Sequence, residues 1–199
     1  GQTAFTIEWW MRPRTLTDIS NGIGDNTGTL RISNYADGKM AVSIGDNSAT
    51  SNEGFVIPNE WHHYAVVFSN GVVRFYRDGE SMLNASINAY SVPQLSKFSI
   101  GTSEARFAGM VDEFRVWIKA LSLTQLQDIC NAPLTAAQIA TAESAGLQLY
   151  YQFNQSSGDV EDASSKGNTG VRNGFGPDGD AWSSSGGVFC LNFGESTIV

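Results

Sequence analysis

The chain has 199 residues, with 20 acidic against 12 basic side chains for a formal charge of −8, and it is 41% hydrophobic but only 16% charged. A single unit of this length buries about 70% of the surface its unfolded chain exposes, so no disulfide or metal is needed to hold it. No Lys/Arg cluster offers counterion release to a nucleic acid, and apolar runs such as Tyr64–Phe68 are five or six residues, too short to cross a bilayer as a helix.

Twenty-one glycines and an aromatic share of 11% suit a turn-rich, all-β chain. In Phe5–Arg12, alternation puts Phe5, Ile7, Trp9 and Met11 on one face and Thr6, Glu8, Trp10 and Arg12 on the other. Pro13, with no N–H to donate, breaks the ladder. Short strands are predicted over Thr29–Ser33 and Lys39–Ile44, with the turn Ala36-Asp37-Gly38 between them. The strongest hairpin runs over Trp61–Phe68, turns at Ser69-Asn70-Gly71 and returns over Val72–Arg77. Asn-Gly suits that turn because type I′ needs positive φ at both central residues. Asp78-Gly79 marks the next turn, and Phe98–Gly101 and Met110–Trp117 complete this set.

The period then changes. Leu123, Leu126, Ile129 and Cys130 recur at helical spacing over Ser122–Cys130, with Ser122 as N-cap. Pro133 ends that segment, and Thr135-Ala-Ala-Gln138 reads as a capping box opening an Ala-rich helix to about Ala145, stopped by Gly146. Strand character returns at Leu147–Phe153, a Gly/Ser/Asn/Asp loop of roughly thirty residues follows, and Gly187–Phe193 closes the chain. No secretory signal is present, and Gly1 opening directly onto a strand reads as an excised piece, so the chain is expected to be part of a larger multidomain protein.

Catalytic patterns are missing from the residue order. No Gly-x-Ser-x-Gly elbow, phosphate loop or His-Glu-x-x-His motif occurs, and neither Asp112 nor Glu8 has a carboxylate two positions away on its strand face. No enzymatic activity is expected. His62 and His63 are adjacent, so on a strand they face opposite ways and do not share a metal, and neither has a sequence-adjacent carboxylate that would make it an acid or base. Cys130 and Cys190 fit either a disulfide or two buried thiols.

Sugar recognition needs an aromatic platform flanked by amide, carboxylate or guanidinium groups. Alternation supplies that composition twice, as Trp10 with Glu8 and Arg12 and as Trp117 with Glu113 and Arg115, and more weakly as Arg74 with Tyr76. Each triad is a candidate ligand face, although a Trp on a sandwich strand is more often core, and Trp117 also reads as cover for the helix that follows. Trp182, set among Gly, Ser and Asp, is a third platform candidate, or a plug for the open end of the core.

Phe5–Pro13, Trp61–Val66, Val73–Gly79 and Gly109–Leu121 (GMVDEFRVWIKAL) resemble, in order, four signature stretches of laminin-G-like domains of the concanavalin A-like superfamily, over most of residues 1–131. The resemblance implies a two-sheet antiparallel jelly-roll sandwich with one or two short helices. Trp9 stands where that family usually has a small residue and is read as core; Asp112 matches a family Asp at the strand before the helix, expected to accept backbone N–H bonds. Leu147–Asn154, Asp162–Asn168 and Gly187–Phe193 resemble the strand, loop and strand that commonly open such domains, but here they follow the helices. Either residues 1–199 form one permuted sandwich, with 1–131 as its main part and 132–199 completing it, or 147–199 is a separate small unit.

Such domains often hold Ca²⁺ at a rim of Asp, Asn and carbonyl oxygens, which makes Asp25, Asn26, Asp46 and Asn47 candidate ligands and calcium a candidate ion, with Asp159, Asp162, Asp178 and Asp180 as another acidic group. The function implied is a non-catalytic carbohydrate-binding module of a secreted or cell-surface bacterial protein, its partner a glycan. The alternatives are a protein-binding or adhesive domain, a structural spacer or, last, a glycoside hydrolase.

Overall fold

The computed structural model describes residues 2–16, 20–25, 29–89, 92, 98–101, 107–173, 182–185, 188–193 and 197–198, with the backbone alone described at 20, 21, 25 and 98 and from 173 onward. Two antiparallel sheets face each other. Numbered along the chain, the first runs β13 (Trp182–Ser185), β14 (Val188–Phe193), β10 (Gly109–Trp117), β1 (Ala4–Pro13), β6 (His62–Ser69), β7 (Val72–Arg77) and β8 (Glu80–Ser86), with β11 (Leu147–Tyr151) also on β10. The second runs β12 (Arg172–Asn173), β15 (Thr197–Ile198), β9 (Phe98–Ile100), β2 (Ser20–Asp25), β3 (Leu30–Asn34), β4 (Met40–Ile44) and β5 (Asn47–Thr50). This is the two-sheet sandwich that the alternation and the family resemblance predict.

The core between the sheets is the set of inward residues that period 2 selects. Phe5, Ile7, Trp9 and Met11 of β1 meet Ile23, Leu30, Ile32, Val42 and Ile44 of the facing sheet, all buried. Trp9 lies in this layer, tilted against Tyr64 at 6.3 Å and Phe114 at 6.4 Å between ring centroids. The β6–β7 hairpin turns as its Asn-Gly demands, with φ of 48° at Asn70 and 77° at Gly71.

Helices α1 (Leu123–Ile129) and α2 (Ala136–Ser144) each begin with a complete capping box, from Ser122 with Gln125 and from Thr135 with Gln138. They pack on the outer face of the eight-stranded sheet, over a second core of Ala65, Val67, Tyr76, Trp117, Leu126 and Tyr150 among others. The molecule therefore has three layers, and the middle one has charged residues on its helix-facing side.

Strand β10 departs from strict alternation. Val111, Phe114 and Val116 all point into the main core, and its register against β1 slips between Glu8↔Arg115 and Trp10↔Asp112. The extra residue is Glu113, which sits at φ 51° as the left-handed member of a β-bulge. Alternation alone groups Met110, Asp112 and Phe114; the bulge instead turns Phe114 inward. The same bulge divides the far edge of β10, with Gly109–Val111 pairing β14 and Phe114–Trp117 pairing β11.

Candidate functional site

Glu8, Trp10 and Arg12 do share the outer face of β1, and the registers place Arg115 beside Glu8 and His63 beside Trp10. One end of this face is closed by α1, α2 and the turns between them; the other is open. Glu8, Arg115, Trp117 and Glu113 fall at the closed end, at 0%, 1%, 4% and 6% exposure. The expectation that they line a ligand platform is therefore corrected: the helical segment covers them, so a sugar cannot reach them.

At the closed end these residues form a hydrogen-bonded ionic network. Arg115 Nη1 donates to Glu8 Oε1 at 3.1 Å and to the Ile129 carbonyl at 3.2 Å, and Nη2 pairs with Glu113. Nε2 of His63 lies 2.6 Å from Glu8 Oε2, and the Tyr150 hydroxyl bonds Glu113 while accepting from the Leu134 amide at 3.0 Å. Thr6 Oγ1 donates to the Lys119 carbonyl at 2.7 Å and accepts from the Leu121 amide at 3.0 Å. These bonds fasten the segment from Lys119 to Leu134 onto the sheet. His63 thus has a carboxylate partner after all, supplied across the sheet by Glu8, 55 positions away in sequence.

Burial sets the proton affinities here. It pushes the Glu8 carboxyl up, but Arg115 and His63 together outweigh it, and the net shift is down. For Glu113 burial wins over Arg115 and Tyr150, and the carboxyl is raised. Asp112, buried beside Glu113, is pushed up to about 8, although its Oδ1 accepts the Glu113 amide at 2.9 Å. Two carboxylates thus share one guanidinium, and burial together with the neighbouring Glu113 charge favours the protonated form of Asp112.

The open end holds Trp10 and Arg12, both half-buried. Trp10 is fixed by its indole N–H, which donates to the Cys130 carbonyl at 2.8 Å, and by a tilted contact with His63 at 5.9 Å between centroids. Arg12 Nε donates to the Asn59 carbonyl at 3.0 Å, and the Asn59 amide in turn donates to Pro13. Those bonds bring the turn before β6, with half-buried Trp61, alongside Arg12. His62 lies on the opposite side of β6, its Nδ1 2.6 Å from Asp78 Oδ2. Trp61 is a member that sequence reasoning placed only as the first residue of a hairpin strand; the signal available was its position one residue before a strand that pairs with β1.

The remaining candidates lie elsewhere. Asp46 is in the two-residue turn between β4 and β5, whose Ile44↔Asn47 pair closes it, and Asp46 is exposed. Asn26, Asp178 and Asp180 lie outside the described residues, as do the side chains of Asp25, Trp182 and Cys190. Asp162 staples its own loop, its carboxylate accepting the amides of Tyr150, Ser164 and Asn168. Among the described residues no three His, Cys, Asp or Glu side chains are placed to hold a metal ion. Cys130 is a buried free thiol, raised in pKa by that burial.

The family model for laminin G domains of the concanavalin A-like lectin/glucanases superfamily matches residues 1–127. Over 148 residues the chain is 25% identical to adhesion G-protein coupled receptor V1 of Danio rerio, a match covering 65% of this chain and 2% of the receptor's length. Among solved structures, a candidate carbohydrate-binding protein from Bacteroides ovatus matches all of this chain over 54% of its own, at TM-score 0.65 and 20% identity. Domain 4 of an extracellular arabinanase from Geobacillus stearothermophilus, solved with arabinotriose, matches 65% of this chain and 67% of that one, at TM-score 0.53 and 21% identity. The carbohydrate-binding module of a Ruminococcus gnavus sialidase, bound to α2,3-sialyllactose, matches 66% of this chain and 84% of that one, at TM-score 0.54 and 12% identity. At these identities the structural likenesses establish the fold.

Proposed function

The chain belongs to the concanavalin A-like lectin/glucanases superfamily, and from that membership we propose that it is a non-catalytic carbohydrate-binding module of a secreted or cell-surface protein. The observation that carries the proposal is the half-buried strip of Trp10, Arg12 and Trp61, left open where the helical cover of the eight-stranded sheet ends. Aromatic rings beside a guanidinium, one of them fixed through its indole N–H, suit the mixed apolar and hydroxyl surface of a sugar. Hydrolysis is disfavoured because Glu8 and Glu113, which share Arg115, are shut away from solvent. Residues 1–199 are read as one unit, supported by β11 and β14 completing the edge of β10.

The test is a glycan array probed with the purified chain, in calcium and in EDTA, beside a folded Trp61→Ala variant. Retention of a defined glycan that the variant loses supports the reading; no retained glycan, or equal retention by the variant, overturns it. Loss in EDTA alone would place the ligand at a calcium-bearing rim, as expected for the loops around Asp46 and Asn47. A protein partner is the second reading. The adhesion receptor relative favours it, as do Ile118 and Leu123, 45% and 40% exposed at the start of the helical segment.

A further inference from the structure

The strip's charge is more specific than sugar binding requires. On the same outer face Arg115 is neutralised by Glu8 and Glu113. Arg12 is different. It is half-buried, its Nε is committed to the Asn59 carbonyl, and among the described residues no carboxylate lies within ion-pair distance. Holding a partly desolvated guanidinium with no counter-charge is unfavourable, in a chain where acids outnumber bases 20 to 12. The bond through Nε fixes the plane of the group while leaving both terminal nitrogens, the pair that binds a carboxylate end-on, without a protein partner among the described residues. Trp61, alongside, has an indole N–H with no acceptor among the described residues, and Trp10 is locked in place by Cys130.

We infer that this strip takes a saccharide bearing an isolated carboxylate, a hexuronic acid residue, with Arg12 pairing the carboxylate and Trp10 and Trp61 carrying the ring. The inference rests on the glycan-binding reading and narrows its ligand class. A formal charge of −8 disfavours a densely charged polyanion. A single carboxylate in contact with Arg12 is favoured by the local pair and little affected by charges beyond a Debye length of about 8 Å at physiological salt. Arg12 is therefore a specificity-determining residue, one that chooses an acidic sugar over its neutral counterpart.

The experiment is calorimetric titration of the full chain with trisaccharides that carry a single galacturonic, glucuronic or mannuronic acid residue, each as free acid and as methyl ester, with neutral and monosulfated trisaccharides as further arms. The expected result is that one free acid binds and its ester binds roughly tenfold more weakly. Arg12→Gln brings the acid down to the affinity of the ester, and Arg12→Lys, a point charge in place of a planar fork, falls between. The acid–ester comparison is made on the unaltered chain, so it stands even if a variant folds poorly. Equal binding of acid and ester, or binding only of neutral or sulfated sugars, overturns the carboxylate inference and leaves the glycan reading intact. Binding of none of these, together with a blank array, overturns both.

Discussion

One strand supplies two sites of opposite character. Glu8 and Arg12 lie four positions apart on the same face of β1, and each stands beside an aromatic ring and further polar groups. Glu8 lies under the helices, where every charge must find a partner within the protein; Arg12 lies past their edge, where a partner can come from outside. The difference teaches that composition on a strand face specifies a polar cluster, while the layer above it decides whether that cluster is sealed inside the protein or left open to solvent.

The sharpest way to break the comparison is to remove what closes the covered end. A chain ending at residue 146 lacks β11, β14 and Tyr150, and is expected to lose cooperative thermal unfolding altogether; a truncated chain that melts like the full one would mean that 147–199 is a separate unit. Next in size is Glu8→Ala, which strands Arg115 and His63 in the interior and should cost about 3–5 kcal/mol by urea denaturation. The matching change at the open end, Arg12→Ala, should stay within about 0.5 kcal/mol. Equal costs at the two positions would erase the distinction drawn between them.

Proton uptake sharpens it further. With its carboxyl pushed up to about 8, Asp112 keeps a proton in the folded chain that the unfolded chain has already released above its ordinary value of 3.8. Its contribution is thus complete below about pH 4 and is lost as pH rises toward 8. Glu8, shifted down, works in the other sense and loses its contribution as pH falls below its ordinary range. Asp112→Asn should therefore gain on the parent chain by on the order of 4 kcal/mol between pH 5 and pH 8.5. A constant difference across that interval would show that Asp112 is ionised throughout. The smallest effect belongs to the cap: Ser122→Ala removes one side-chain acceptor from the first turn of α1 and should cost about 1 kcal/mol by the same denaturation measurement.

Much of the sandwich is legible in the residue order because its strands alternate cleanly. Phe5–Arg12, the Asn70-Gly71 hairpin, the Ser122 N-cap and the Thr135 capping box can be placed to within a residue or two. Strands β5 and β8 are not, because NSAT and ESMLNAS lie at sheet edges, largely exposed, and have no large apolar residue at every second position. The shared outer face of Trp10 and Arg12, both half-buried, is legible from alternation too. The covering of Glu8, Arg115 and Trp117 is not, since α1 shows its own apolar positions but not the face on which it will lie. Nor is the bulge at Glu113, where a residue with a Cβ takes a left-handed conformation that only glycine would have announced.

The pairing of β10 also governs the order in which the molecule can be made. Its partners are β1 near the start of the chain and β14 near the end, with Thr6 set against Trp117 and Gly109 against Phe193. A chain emerging from the ribosome can zip β6, β7 and β8 into local hairpins at once. β1 must then wait for more than a hundred residues before its second edge is occupied. Contacts of such sequence separation place folding in the slow, millisecond-to-second range of β-rich proteins. Until Tyr150 arrives, Glu113 and the Leu134 amide lack the hydroxyl that joins them, so the cover over Glu8 and Arg115 is completed only after residue 150 is in place.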